Sequence, residues 1–532
     1  MTGRSYAGSG DLARLGLRRD RALAGFGILA PGLALAASAK ATMDLYPPGT
    51  KDLSSLVAVF ESPAARALYG AVADPENIDA LAVVKAQLMG MVMLMSVLFA
   101  MVRRHTRGDE ESGRLELIGG TAIGRRAPLA GASLQAVTVL VLSCAVTIAG
   151  LVATGLDPVG SLAFGVGWFG LGLATVGVTA VAAQVFSSTR VVGVAVAGVL
   201  GVGYLLRAVA DVSADLAWLR WFTPFGWNEE VSAYGQNRLW VGLVPVLVAV
   251  LLLILAFTLR DRRDLGGALI AERAGPATAP PGLRSPLALA WRTQRGTFLA
   301  WLVGLVAVGT AVGSMSASVT DVLASGSTAD LFARMGINAG TLLDTFFAAF
   351  VKFIGVYAAG YGVLTLLRLH TEEDAGRLEP VLATANSRTG VLAAHASLAL
   401  TGTAVLTVAG GLALGVAGAI GLHDGSNVLR LLLASLGAVP SGLAMVAIAA
   451  LLIGWAPRWA VGTWAVFATA FFTAEFGRLV GLPERLVTLS PFDHVPSLPG
   501  GSVSRGSLIA MLILGAILLI LGDMGFRRRD VT

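Results

Sequence analysis

Charge is scarce in this chain of 532 residues: charged residues make up 14% of the sequence and hydrophobic residues 55%. Soluble globular proteins carry about 25% charged residues, so too little charge is present to cover a surface that faces water. A bilayer removes that requirement, because helices that face lipid need no charge. The composition therefore predicts a membrane protein surrounded by a lipid bilayer.

Cysteine occurs once, at Cys144, which excludes an intrachain disulfide. Lysine occurs four times and never precedes Ser or Thr, so the chain lacks the Gly-x-x-x-x-Gly-Lys-Ser/Thr signature of a P-loop. It also lacks a Gly-x-Ser-x-Gly elbow on a strand and a His/Cys set with metal-ligand spacing. We therefore expect no catalytic residue, metal or cofactor in this chain, and no enzymatic activity of its own.

The excess of basic over acidic residues, 39 against 33, could indicate nucleic-acid binding. Most arginines, however, lie in short loops between apolar runs, as the positive-inside rule requires of membrane proteins. Placing these loops inside puts both termini in the cytoplasm. We therefore expect a multi-pass protein of the bacterial inner membrane that binds no nucleic acid. Residues 1–39 resemble a cleavable signal peptide, but the second half begins with a similar arginine-led span.

Apolar runs that reach or approach the roughly 20 residues of a transmembrane helix occur along the whole chain. They are 22–39, 86–102, 128–156, 158–189, 191–206, 241–259, 296–320, 353–367, 389–422, 431–457, 459–474 and 506–522. The sequence thus predicts an all-α polytopic membrane protein of about twelve transmembrane helices.

A charged heptapeptide occurs in both halves, as Glu-Glu-Ser-Gly-Arg-Leu-Glu at 110–116 and Glu-Asp-Ala-Gly-Arg-Leu-Glu at 373–379. Further matches follow in order: Arg125 with Arg388, Thr223-Pro224-Phe225 with Ser490-Pro491-Phe492, and Arg262-Arg263-Asp264 with Arg528-Arg529-Asp530. Such self-similarity indicates a duplication. Six spans per half, entering from the same side, make two parallel repeats related by an axis along the membrane normal. The predicted boundaries are 1–265 for the first half, 266–290 for a linker and 291–532 for the second half.

The repeated loop between the second and third spans is the strongest local signal. Each copy has an acidic cluster, then Gly-Arg-Leu-Glu, then an arginine nine residues after that Glu. A short amphipathic helix on the cytoplasmic face would present these charges to a soluble partner. The alternative is a solvated loop whose Glu and Arg pair locally. Because two copies stay in register within divergent halves, we favour a docking element.

The loops before the last spans are rich in aromatic residues and proline. Interfacial aromatics at headgroup depth explain this composition, and so does a re-entrant outer gate. The gate residues would be Pro224, Phe225, Pro491 and Phe492.

An apolar substrate path would be lined by adaptable and aromatic side chains. The candidates are Met89, Met93, Phe347, Phe350 and Phe471. Packing against lipid or other helices is the alternative role for each of them.

On these features the chain resembles the permeases of ABC-2 exporters (type V exporter-like). More narrowly, it is similar to the fused, double-length permeases of actinobacterial polyketide-antibiotic (tetronasin-type) and multidrug exporters. The resemblance covers essentially the whole chain. It implies export of hydrophobic or amphipathic compounds such as antibiotics, drugs or lipid-like molecules. It also implies two copies of a separate ABC ATPase subunit, which would bind the ATP and Mg.

The resemblance further implies roles for particular residues. Segments 11–21 and 284–295 would be amphipathic connecting helices, and the repeated loops would be coupling helices seated on the ATPase. Unequal residues in the two loops, such as Leu117 and Pro380, put equal engagement of the two ATPase copies in doubt. The coupling residues would be Glu110, Glu111, Gly113, Arg114, Glu116, Arg125, Glu372, Glu373, Asp374, Gly376, Arg377, Glu379 and Arg388.

Two other functions fit the sequence less well. A proton-coupled secondary transporter of the major-facilitator kind also has twelve helices in parallel halves. Its Gly-x-x-x-Asp-Arg-x-Gly-Arg-Arg loop is missing here, and no acidic residue stands clearly at mid-membrane. A membrane enzyme or scaffold would need a reactive constellation that the sequence does not contain.

Overall fold

The computed structural model describes residues 5–46, 53, 57, 60, 61, 63–264, 266–270, 278–280, 282–317, 320, 339–476 and 482–529. The chain divides into two compact units, Met1–Gly275 and Pro276–Thr532. Within the described ranges the structure is helical and contains no strand, only an isolated β-bridge between Phe186 and Ile270. This confirms the predicted all-α polytopic class. Residues 271–277 and 281 of the predicted linker lie outside the described residues.

Ten helices form the main framework of the first unit. They are α1 (Ser9–Arg19), α2 (Arg21–Leu45), α3 (Pro63–Tyr69), α4 (Ile78–Arg103), α5 (Arg114–Gly119), α6 (Ala127–Ala153), α7 (Pro158–Val185), α8 (Thr189–Val212), α9 (Pro224–Glu230) and α10 (Leu243–Asp261). A π-helical turn, Arg104–Gly108, continues α4. The indole of Trp168 on α7 is fully buried in the apolar core of this unit.

Seven helices form the main framework of the second unit. They are α11 (Pro286–Ser314), α12 (Ala339–Asp374), α13 (Leu378–Leu382), α14 (Arg388–Leu422), α15 (Ser426–Trp455), α16 (Thr463–Phe476) and α17 (Arg505–Arg528). Helices α11 and α14 approach backbone to backbone. A Cβ on Gly309 would lie 2.3 Å from the Gly410 carbonyl oxygen, and one on Gly313 would lie 2.4 Å from that of Leu414. Small residues four apart are the usual means of such close approach between membrane helices.

Polar caps fix where several spans begin. Ser188, Ser285, Ser387 and Ser504 each accept a hydrogen bond from the backbone N–H three residues further on, at the starts of α8, α11, α14 and α17. A serine oxygen satisfies one of the free N–H groups of the first helical turn. The boundaries of these spans are therefore set by local sequence, as well as by hydropathy.

Eleven of the described helices are long and apolar enough to cross a membrane, where the sequence predicts about twelve. The difference lies at the predicted span 459–474. Proline at position 457 cannot continue the preceding helix, and a 3-10 segment, Pro457–Gly462, leads into α16. The 14 residues of α16 cover about 21 Å at 1.5 Å per residue, less than the roughly 30 Å of a bilayer core. Residues 477–481, which follow α16, lie outside the described part of the chain.

Candidate functional site

The two repeated loops turn on a glycine at the same position. Gly113 has φ +70° and Gly376 has φ +66°, and each immediately precedes the Arg-Leu-Glu of its loop. No atom lies within 4 Å of a Cβ built on either glycine, so space does not require a glycine there. The left-handed backbone does, because other residues adopt it only at a cost. The turn directs the chain from the second span into α5 in one unit and into α13 in the other.

Replacing Gly113 or Gly376 by alanine is expected to destabilise the turn by about 1 kcal/mol, because alanine opposes a positive φ. Arg114 and Arg377 follow these glycines and offer trypsin a local probe. We expect cleavage there to quicken about fivefold, as open-state proteolysis follows the opening equilibrium. Gly119→Ala is the matched control, because Gly119 has open space and no positive φ. Equal acceleration in the control would contradict a conformational role for the two turn glycines.

The short helices after the turns present one anchored side chain between two exposed ones. Leu115 is 6% exposed and Leu378 is 4% exposed, so these leucines fix the helices to their units. The flanking arginines and glutamates point outward: Arg114 and Glu116 in the first loop, Arg377 and Glu379 in the second. Leu117 adds an apolar side chain that is 80% exposed. We call this Arg/Glu surface, repeated in the two units, the docking face.

Arg377 is held in place by its neighbour Glu372, which also pairs with Arg368 at 2.6 Å. The hydrogen bond that Arg377 donates to Glu372 raises the pKa of Arg377 above its ordinary value. The Arg377 side chain is 54% exposed, so a charged guanidinium paired with Glu372 is held at the surface of the second loop. Arg114 makes the corresponding but longer contact with Asp109, at 3.6 Å.

Two of the predicted coupling residues, Glu110 and Glu373, are buried in their own units. Their side chains are 4% and 6% exposed. Arg263, which follows α10, donates to both carboxylate oxygens of Glu110 at 2.6 and 2.9 Å. Arg529, which follows α17, donates to both oxygens of Glu373 at 2.5 and 2.6 Å. We call these ion pairs the buried bridges; they join each loop to the end of the last span.

Arg125 and Arg388, nine residues after Glu116 and Glu379, also bind the arginines of the buried bridges. Arg125 donates to the Arg263 carbonyl oxygen at 2.8 Å, and Arg388 donates to the Arg529 carbonyl oxygen at 2.5 Å. The remaining acidic residues differ between units. Glu111 accepts hydrogen bonds from the N–H and hydroxyl of Thr189 at the start of α8, whereas Asp374 is exposed.

The first unit has an additional ion network around Asp20, a residue that the sequence did not single out. Its carboxylate is fully buried and contacts Arg104 at 2.5 Å and His105 at 2.7 Å. His105 also reaches Asp109 at 3.3 Å, and Asp109 pairs with Arg19 at 2.9 Å. We call this set the Asp20 network. It ties the junction of α1 and α2 to the beginning of the loop.

The two predicted connecting helices, 11–21 and 284–295, differ because only the first contains Asp20. In the first unit the chain breaks at Asp20, between α1 and α2, and α1 forms a separate amphipathic helix as expected. In the second unit the segment 284–295 does not form a separate helix, because α11 continues from Pro286 into the span. Arg18 and Arg21 match Arg292 and Arg295 in the repeat, so the residue aligned with Asp20 is Gln294. The buried Nε2 of Gln294 has no hydrogen-bond partner among the described atoms. Without an acidic residue to hold a break, the helix runs on.

The Ser/Thr-Pro-Phe elements are packed into their units in matching ways. The Thr223 hydroxyl accepts from the N–H of Gly226, and the Ser490 hydroxyl accepts from that of Phe492. Phe225 packs edge-on against Tyr204, with ring centroids 5.4 Å apart. Phe492 packs likewise against Phe467 at 5.5 Å. Both Phe rings are buried, and Pro224 and Pro491 are half-buried.

Beside the first of these elements lies a buried cluster centred on Arg207 of α8. Its side chain is 3% exposed and lies 3.1 Å from both Asp211 and Glu229. The guanidinium also donates to the carbonyl oxygens of Arg66 and Ala67, at the end of α3. Arg207 therefore holds α3, α8 and α9 together. Asp211 lies one turn further along α8, whereas Glu229 and the two carbonyl oxygens come from other segments of the chain, so the cluster as a whole leaves no local pattern in the sequence.

The candidate path residues fall into different environments. Phe350 and Phe471 join one aromatic row through Phe353, with successive centroids 6.2 Å apart. Phe347 is fully buried, whereas Met89 is 64% exposed and Met93 half-buried.

Within the described ranges no three His, Cys, Asp or Glu side chains cluster closely enough to hold a metal ion.

Eleven apolar helices in the described part of the chain, long enough to span a membrane, and a polar loop built twice on one plan define a multi-pass helical membrane protein with a duplicated charged loop. Comparison with known proteins gives the family. The model of the multidrug efflux system permease Rv1217c, C-terminal domain, matches residues 283–527. The chain is 38% identical, over 532 residues, to the multidrug efflux system permease protein Rv1217c of Mycobacterium tuberculosis (strain ATCC 25618 / H37Rv). That alignment covers 99% of this chain and 96% of the relative. The chain belongs to this family of multidrug efflux permeases.

Proposed function

We propose that this chain is the membrane subunit of an ATP-driven exporter in the bacterial inner membrane, with both termini in the cytoplasm. Two copies of a separate ABC ATPase would bind ATP and Mg and seat on the docking faces. The cargo would be a hydrophobic or amphipathic compound of the antibiotic, drug or lipid-like class. The duplicated docking face, on a chain without a P-loop, carries the proposal.

The geometry supports contact with a rigid partner. In each unit the docking helix has a buried leucine beneath it and an exposed Arg and Glu on top. Anchoring leaves the two charges little freedom to lose on binding, which lowers the entropic cost of association. Motion of the ATPase would then move the loops. The buried Phe225 and Phe492 would belong to elements that open at the outer side, and Met89, Met93, Phe347, Phe350 and Phe471 would face cargo during the cycle.

The test is purification of the tagged chain in mild detergent from its native host, followed by reconstitution. We expect a co-purifying ATPase, vanadate-sensitive ATP turnover only when it is present, and transport that survives an uncoupler. Glu116→Arg with Glu379→Arg is expected to reduce the co-purified ATPase at least about tenfold. Each substitution places a positive charge against the part of the ATPase that would otherwise bind a glutamate, and like charges across an interface repel. Glu76→Arg, exposed before the opposite end of α4, is the matched control.

Two results would count against the proposal. Transport that continues without ATP and stops with an uncoupler would identify a proton-coupled secondary transporter instead. Full retention of the ATPase by the double reversal would show that the docking face is not where it binds.

A further inference from the structure

We propose that the buried bridges make the last span of each unit move with its docking helix, so that Glu110 with Arg263, and Glu373 with Arg529, are positioning residues for transport. This inference rests on the proposed function, because it assigns the route by which a push on the docking face enters the membrane. These four side chains are 3–16% exposed, so the role assigned to them is internal to each unit and not a contact with cargo or ATPase.

The first support is the placement of the attachment points. In the first unit Glu110 precedes the docking helix α5, Arg125 follows it, and both side chains bind Arg263. In the second unit, the bridge from Glu373 and the bond from Arg388 both end on Arg529, around α13. Each docking helix (α5 in the first unit, α13 in the second) is therefore attached to one arginine on both sides, once before it and once after it. A helix tied at both ends to the same point cannot shift without moving that point.

The second support is the strength and directionality of the tie. Each bridge is a two-pronged pairing of guanidinium and carboxylate, which fixes orientation as well as distance. Burial strengthens the attraction, since little water screens the charges. In the first unit Arg107 adds a contact of 2.7 Å to Glu110, and Gln184 accepts from Arg263 at 2.9 Å. In the second unit the Arg529 guanidinium lies 4.8 Å from the centre of the Phe526 ring.

The third support is the freedom of the helix that would move. In both last spans 22% of the most apolar stretch of 18 residues is buried, compared with 78% in α7 and 61% in α15. Each last span packs closely along one main neighbour, α10 on α7 and α17 on α15, so it can tilt against that neighbour while the other spans of its unit keep their packing. The bridges thus connect each docking face to a span with one main neighbour, and the same connection occurs in both units although Leu117 is replaced by Pro380 and Ile123 by Asn386.

The second unit allows the cleaner experiment, because Glu373 has fewer partners than Glu110. The quantity to measure is the number of cargo molecules moved per ATP hydrolysed, in proteoliposomes containing the chain and its ATPase. We expect Glu373→Gln to lower this ratio about tenfold, within the usual range of coupling between sites. The exchange of both charges, Glu373→Arg with Arg529→Glu, is expected to restore it to within about threefold. Asp523→Asn is the control, because Asp523 contacts Thr389 and the last span without touching the loop.

A covalent tie provides a second measurement that does not depend on charge. In a Cys144→Ser background, Glu373→Cys with Arg529→Cys removes the bridge, and a short crosslinker with two thiol-reactive alkylating groups, each forming a thioether, replaces it. We expect transport per ATP to be low before the reagent and to recover after it. A merely stabilising ion pair would give no such recovery in a protein that was already folded and bound to its ATPase.

The possible failures are distinguishable. A wild-type chain that binds no ATPase would overturn the proposed function, and this inference with it. A normal wild type, together with a Glu373→Gln variant of unchanged transport per ATP, would overturn the inference alone. Loss of ATPase binding in that variant would also overturn it, because Glu373 would then shape the docking face instead of transmitting its motion.

Discussion

Replacing Arg207 by leucine is expected to lower the thermal unfolding midpoint of the first unit by about 10 °C. Removing one partner of a buried ion pair costs about 3–5 kcal/mol, and in a unit of this size each kcal/mol shifts the midpoint by about 2–4 °C. Arg207 has unusually many partners to lose: Asp211 and Glu229, and the carbonyl oxygens at the end of α3. Leucine fills the space but removes the donor from Glu229 and from the Ala67 carbonyl oxygen, while Asp211 keeps Arg220 and the Arg66 carbonyl oxygen keeps the N–H of Gly70.

The single cysteine makes this measurement specific to the first unit. Cys144 lies on α6 and is 6% exposed, so a thiol-reactive fluorescent dye reports when this unit opens. Arg238→Leu is the matched control, because Arg238 belongs to the same region but is 39% exposed, 3.4 Å from Glu230. We expect it to shift the midpoint by less than about 2 °C, as exposed pairs contribute little. Equal shifts in the two variants would contradict a central role for Arg207.

Lysine at position 207 gives a graded test of the same idea. It retains the charge but cannot span two carboxylates and the carbonyl oxygens at the end of α3 with one planar fork. We expect Arg207→Lys to unfold between the wild type and Arg207→Leu.

Replacing Asp20 by asparagine is expected to open the loop of the first unit to trypsin about thirtyfold faster at Arg114. The substitution removes the charge that Arg104 and His105 share, and hydrogen bonds to charged groups contribute about 2 kcal/mol. Arg104 and His105 are the first two residues of the π-helical turn Arg104–Gly108, so Asp20 holds the start of this turn. Loss of the Asp20 contacts frees the beginning of the loop, while the buried bridge between Glu110 and Arg263 remains.

Gln294→Ala provides the matched control in the second unit. Gln294 aligns with Asp20, but its Nε2 has no hydrogen-bond partner within the part of the chain that the structure describes. We therefore expect cleavage at Arg377 to change less than about twofold, the effect of a few tenths of a kcal/mol. Acceleration of both loops by their respective substitutions would show that the Asp20 network does not distinguish the two units.

Much of the fold was accessible from the sequence because hydropathy and repetition are local properties. Most of the apolar runs became spans, and the matching heptapeptides marked two loops that turn at Gly113 and Gly376. The predicted span 459–474 shows the limit of this reasoning. Its composition is apolar, but Pro457 and the 3-10 segment delay the start of the helix to Thr463, and 14 residues of α16 are helical within the described part of the chain. Hydropathy reports how favourably residues transfer into lipid, but it does not report where the backbone hydrogen bonds of a helix begin and end.

For the candidate site, too, part was predictable from the sequence and part was not. The sequence treats Glu110 and Glu116 alike, as acidic residues of one loop, and so it assigns both to the partner. The structure buries Glu110 against Arg263, which lies 153 positions away in the chain, and leaves Glu116 exposed. Such a pairing produces no periodicity, and only the match between Arg263 and Arg529 hinted that these arginines had a common purpose.

The sequence alone therefore determined that this is a helical membrane protein with the same charged loop in each half, because apolar content and spacing are properties of neighbouring residues. Tertiary structure decided which charges are available to a partner and which hold the protein together. That choice depends on desolvation and on arginines brought from distant segments. It made Glu116 and Glu379 surface residues, Glu110 and Glu373 internal ties, and Asp20 the residue that distinguishes one unit from the other.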